Sequence, residues 1–132
     1  MVLGQFTASG NYSSASHQFR LVKPAAGGAL TLTTGRGSPV IGVLYNQPTS
    51  GAMAQLAWGG VVKVRLSTSA GAVAVGCKIA PSTANNGKAD TSTAVGTRYI
   101  GHALSSAASG SGAVISVLWA PGVGSSGGET AA

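Results

Sequence analysis

Acidic side chains are almost missing from this chain: Asp90 and Glu129 are its two carboxylate residues among 132. Paired-carboxylate catalysis would need both, and Glu129 falls in a polar C-terminal stretch. Two carboxylates cannot build an oxygen cage for Ca²⁺ or Mg²⁺. Cysteine is equally scarce. Cys77 stands alone, which excludes an intrachain disulfide and a disulfide-stapled secreted scaffold. Cys77, His17 and His102 lie scattered without metal-ligand spacing, so neither a metal nor a cofactor is expected. Long apolar runs are absent too. The strongest, Val114 to Trp119, is far too short to span a bilayer, and Met1 to Phe6 shows no basic region leading into an apolar one. A soluble chain without a membrane partner is expected, and the single thiol fits folding in a cytosol. Large core formers are also few: 13 Val, 9 Leu, 4 Ile and 2 Phe, with aromatics at 5%. Any core is thin and Val-rich, and the chain gains from burying more surface against copies of itself or a larger partner.

What the chain does have is small residues: 21 Gly, 22 Ala, 17 Ser and 11 Thr. Glycine recurs every few residues, and each costs a helix interior about 1 kcal/mol relative to alanine. Short β-branched runs between Gly, Pro, Ser and Asn clusters point to strands and turns. Val61 to Leu66 alternates most cleanly, with Val62, Val64 and Leu66 on one side and Lys63 and Arg65 on the other. Gln18 to Lys23, Leu30 to Thr33, Val40 to Tyr45 and Ala52 to Trp58 are further strands, with Gly59-Gly60 turning the last into Val61. Asn86-Gly87 is a turn signal that folds Cys77–Pro81 back onto Lys88–Thr91. Tyr99 to Leu104 and Val114 to Trp119 are the final strands. The last is apolar on both faces, so it is buried twice or faces a core on one side and a partner on the other. The expectation is a mainly β protein: one compact β-barrel or β-sandwich-like domain over 18–121, an extended N-terminal arm over 1–17, and a flexible Gly/Ser tail over 122–132.

Several patterns that imitate chemistry dissolve on inspection. Gly122-Val123-Gly124-Ser125-Ser126-Gly127 has dinucleotide-turn spacing, but the helix and the later acid that the chemistry requires do not follow. A Ser-His-Asp set can be written in so serine-rich a chain, but no nucleophile-elbow pattern surrounds any serine. His102 reads as a histidine at a core edge or subunit boundary, and Cys77 as a small buried hydrophobe. No catalytic residue is assigned, and the protein is read as no enzyme.

Eight basic residues stand against the two acids. Lys63 and Arg65 form the densest pair, on one face of one strand. The aromatics lie in or beside apolar strand runs rather than interleaved with charge, so specific nucleic-acid binding is not expected. A positive face meeting an acidic protein surface is the better reading.

The order of segments then becomes familiar. Val40-Ile41-Gly42-Val43-Leu44-Tyr45-Asn46-Gln47-Pro48 leads to Gly60-Val61-Val62-Lys63-Val64, and then to Val75-Gly76-Cys77-Lys78 and Asn86-Gly87-Lys88-Ala89. Ile100-Gly101-His102-Ala103-Leu104 and Val114-Ile115-Ser116-Val117-Leu118 close the series. This succession, over about 18–122, resembles the small head decoration (capsid cement) proteins of tailed bacteriophages. Cys77 and His102 depart from it, standing where an acid and an aromatic or aliphatic residue are common. The resemblance implies a compact β domain, usually trimeric, on the outer surface of the virion capsid. It would bridge major capsid protein subunits at local three-fold positions, after synthesis in the host cytoplasm. Two other classes fit the composition: a different phage structural part (a tail or fibre domain, or a minor coat protein) and a surface- or carbohydrate-binding β module.

Within this reading Leu3, Phe6 and Tyr12 are the expected anchors of the arm on the capsid. Val114, Val117 and Trp119 are assigned to the oligomer interface or the core, and Lys63 and Arg65 to a basic face.

Overall fold

The computed structural model describes residues 2–35, 38–83, 86–91 and 98–123. It is mainly β, with a closed five-stranded barrel beside a second sheet, also of five strands. The barrel comprises β1 (Val2–Ala8), β2 (Leu21–Pro24), β3 (Ala29–Leu32), β4 (Gly42–Leu44) and β5 (Met53–Trp58) in the order β1-β3-β2-β4-β5. The second sheet comprises β6 (Val61–Arg65), β7 (Lys78–Pro81), β8 (Ala89–Thr91), β9 (Arg98–Ala103) and β10 (Val114–Val123) in the order β6-β10-β9-β7-β8.

The N-terminal segment corrects the expectation of an arm. β1 pairs antiparallel with β5 from Val2↔Trp58 to Thr7↔Met53, and parallel with β3 at Thr7↔Ala29 and Ala8↔Leu30. Without it β3 and β5 would each expose a row of unpaired backbone groups, and closure of the barrel removes both edges. The C-terminal boundary also shifts. β10 runs through Gly122 and Val123, which were expected to begin the tail; residues 124–132 lie outside the described residues.

β2 and β4 form a wall shared by two cores. Leu21 and Val43 face the cluster built on Val62, Val64, Ile79, Ile115 and Val117. Their neighbours Val22 and Leu44 face the barrel interior with Leu30, Leu32 and Leu56. Alternation along a strand places successive side chains on opposite faces, and here both faces are dry. All four side chains are buried to 1% exposure or less. A thin supply of large apolar residues thus serves two cores by using both sides of the same strands.

β5 and β6 meet at Gly59-Gly60, with φ of 74° and 57°. Both glycines take the left-handed region that side chains avoid, as the sequence suggested. The strands then diverge into different sheets. Buried Val62 and Val64 alternate with exposed Lys63 along β6. β7 and β8 pair antiparallel as the Asn86-Gly87 signal predicted, and Gly87 sits at φ 76°. β10 is an interior strand, between β6 and β9. It carries an extra residue between the Trp119↔Gly101 and Gly122↔Tyr99 pairs. Such a bulge bends and twists its strand.

Candidate functional site

The sheet's two ends are sealed in different ways. At β6 the N–H of Lys63 donates to the Tyr45 hydroxyl at 2.7 Å, and that of Arg65 to the Phe19 carbonyl at 2.9 Å. Groups from the barrel side therefore cap the outward N–H groups of an edge strand that would otherwise invite another chain. At the other end β8 is three residues long, and Ala89 bridges to Leu66 just past β6. What the sheet offers outward is a face rather than an edge.

That face carries the exposed apolar residues of β6 and β10. Val61 pairs with Leu118, and Leu118 pairs on its other side with His102. Val61 is 50% exposed and Leu118 44%. Val114 and Leu104 add further exposed apolar surface along the same sheet, and Lys63 lies opposite Ser116 on the edge strand β6. Beyond His102, the Lys78 ammonium lies over the Tyr99 ring at 5.2 Å, and the Tyr99 and His102 rings meet edge-on at 5.8 Å.

The residues expected at the oligomer interface or core divide accordingly. Val117 is fully buried and Trp119 packs half-buried against the same core, whereas Val114 lies on the outward face. Leu118 and Val61 were not singled out in the sequence. Their signal was there: in Val114–Trp119 both alternating faces are apolar, and one of them had to look outward.

The expected arm anchors part company as well. Leu3 is 51% exposed. Phe6 is on the same strand, with its ring and that of Trp58 both against Gly4. Tyr12 is a correction. It is buried among Ala8, Val22, Leu30 and Leu56, because barrel closure draws the residues after β1 inward, where the Tyr12 N–H donates to the Pro48 carbonyl.

The expected basic pair also separates. Lys63 stays on the outward face, while the Arg65 guanidinium turns to the short 3-10 turn Ala15–His17. Its Nε donates to the Gln18 carbonyl at 3.1 Å and its Nη2 to the Ala15 carbonyl at 3.3 Å. Arg20 donates from Nε to Ser16 at 2.8 Å and from Nη1 to the Asn86 carbonyl at 2.9 Å. Arg20 and Arg65 thus meet at the seam between barrel and second sheet.

Among the described residues no three His, Cys, Asp or Glu side chains gather in a metal-binding group. A cleft of about 250 Å³ is lined by Val40, Arg98, Tyr99, Ile100, Pro121 and Gly122, with no carboxylate, imidazole or thiol in its wall. Cys77 is buried, and its Sγ accepts the Ala74 N–H at 3.3 Å. The Asp90 carboxylate accepts the backbone N–H groups of Thr91 at 2.7 Å and Gly71 at 3.3 Å.

The geometry therefore defines a β-structural protein with an outward apolar face and a cationic seam. A family profile described as Phage cement protein matches residues 9–118. The chain belongs to that family: it is a phage capsid structural component, and the family is not one of enzymes. No curated protein matches the chain.

Proposed function

We propose that this chain decorates the outside of a tailed-phage head as a homotrimer at local three-fold positions, bridging neighbouring major capsid protein subunits. The observation that carries the reading is the Val61–Leu118 pair on the outward face of a sheet whose edges are already capped. Two large apolar side chains side by side, with Val114 exposed on the same face across the Lys63–Ser116 row and Leu104 exposed there too, are exposed apolar surface of the kind that marks protein contacts. Sibling copies cover this face, with Lys63 at its rim. Leu3 and Phe6 on β1 are offered to the capsid shell.

The test has two arms. Light scattering gives the mass of the isolated wild-type chain and of Leu118→Glu, which alters an exposed side chain and leaves both cores intact. A trimeric wild type and a monomeric, folded variant are expected. Cryo-electron microscopy of heads assembled without the chain, then mixed with it, is expected to show three-lobed density at local three-fold positions. A wild-type monomer that leaves heads bare overturns the reading.

A further inference from the structure

The seam between barrel and second sheet gathers positive charge that the described residues leave unmatched. Arg20 follows the turn Ala15–His17, Arg65 ends β6, and Lys88 precedes β8. The Ser16 and Ala15 carbonyls accept from Arg20 and Arg65, so the two guanidiniums bracket one turn. Asn86 accepts from Arg20, and the stem of Arg20 lies against Gly87, next to Lys88. No carboxylate of the described residues reaches Arg20, Arg65 or Lys88 at hydrogen-bond distance. Of the two acids in the chain, Asp90 is bonded to the Thr91 and Gly71 N–H groups, and Glu129 lies outside the described residues.

This arrangement is built rather than incidental. Each guanidinium gives two of its donors to backbone carbonyls, which fix its position, and has N–H groups left to donate. An arginine held this way has already lost the rotamer freedom that an exposed one would lose on binding. The like charges work against one another. Burial, and after it the Arg65 charge, lower the pKa of Arg20; burial, then Arg20 and Arg65, lower that of Lys88. An anion in their midst would relieve that repulsion.

We propose that Arg20, Arg65 and Lys88 form a preorganised seat for carboxylates, whose occupant is an acidic segment of the capsid shell protein. The occupant rests on the function proposed above; the seat rests on the geometry alone. A polypeptide fits better than a nucleic acid. Three cations at one spot do not make a track along a phosphate backbone, and Phe19, the residue before Arg20, is packed edge-on against Tyr45 at 5.2 Å rather than offered for stacking.

The experiment compares full-length wild type, Lys88→Glu, Lys88→Gln and Lys23→Glu. Lys23→Glu makes the same change in net charge away from the seam. Binding to heads lacking the chain is measured at about 0.1 M and about 1 M salt, where the screening length falls from about 10 Å to about 3 Å. In parallel, backbone NMR signals are followed as a synthetic Asp/Glu hexapeptide, or a single-stranded oligonucleotide, is added.

Lys88→Glu should bind heads about tenfold more weakly at the lower salt, a change of about 1.4 kcal/mol, with the difference vanishing at the higher. Lys88→Gln should fall between it and wild type, and Lys23→Glu should match wild type. The peptide should move the signals of 15–20, 65 and 86–88. Equal weakening by Lys23→Glu and Lys88→Glu, or head binding by Lys88→Glu as tight as wild type, overturns the seat. Signals moved by the oligonucleotide and not by the peptide overturn the choice of partner. A wild type that binds the peptide but not heads overturns the function proposed above while upholding the seat.

Discussion

The backbone N–H of Arg65 donates to the carbonyl of Phe19 at 2.9 Å, and Phe19 adopts a left-handed backbone at φ 69°. The two facts are linked. Phe19 must send its N–H to Leu44 in the barrel and its carbonyl to β6 in the second sheet. Its ring meanwhile packs on Tyr45, whose hydroxyl caps Lys63. A left-handed side-chain-bearing residue costs about 1–2 kcal/mol, offset here by the bonds that join the two sheets.

Phe19→Gly and Phe19→Ala should therefore rank in an unusual order. Both lose the ring, but only Gly adopts positive φ freely, so the Gly variant should be more stable than the Ala variant by about 1 kcal/mol. Urea unfolding midpoints decide this. If Ala is the more stable, as at ordinary positions, the left-handed conformation is not what this site demands.

Thr33 is fully buried, and among the described residues its hydroxyl has no partner, although its carbonyl accepts the Gly87 N–H at 2.8 Å. Thr33→Val keeps the shape and removes the unpaired group. A gain of about 1 kcal/mol is expected, read as a higher urea midpoint at unchanged slope. A loss of stability would mean that the hydroxyl is satisfied in solution.

Gly101 pairs with Trp119 beside the β10 bulge, and a Cβ there would collide with the Leu118 carbonyl. Gly101→Ala should destabilise by about 3 kcal/mol, since backbone on the far side of the contact cannot rotate away. Gly35→Ala, with open space around it, serves as the control and should be near neutral. Equal melting temperatures for the two variants would contradict the close approach.

His17 titrates below the ordinary histidine value of 6.5, through burial first and the Arg20 charge second. Between the folded and unfolded pKa values the unfolded chain binds more protons. Stability from this residue is thus intact above pH 6.5 and declines as pH falls through the folded-state value. His17→Gln should flatten that part of the profile. Thermal melts of both chains between about pH 7.5 and about pH 5 measure it. Identical profiles would remove His17 as a source of the pH dependence.

The turn glycines and the alternation of β6 were legible in the sequence because their causes are local. Gly59 and Gly60 can take positive φ at no steric cost, and Val62 and Val64 share a face because the strand period is two. The doubly apolar Val114–Trp119 run was legible for the same reason: one of its two alternating faces had to look outward, and Val114 and Leu118 do. β1 was not legible. Its apolar Val2, Leu3 and Phe6 do not alternate with polar residues at the strand period, and it is drawn into the barrel because β3 and β5 leave edges for it to close. Tyr12 followed it into the barrel for the same reason. The meeting of Arg20, Arg65 and Lys88 was hidden more deeply. Each lies on a different segment, and only the seam between two sheets, held by hydrogen bonds between residues far apart in sequence, brings their charges together. Composition determined that positive charge would be in excess; tertiary packing decided where it gathers, because backbone carbonyls from other segments hold Arg20 and Arg65 against their mutual repulsion.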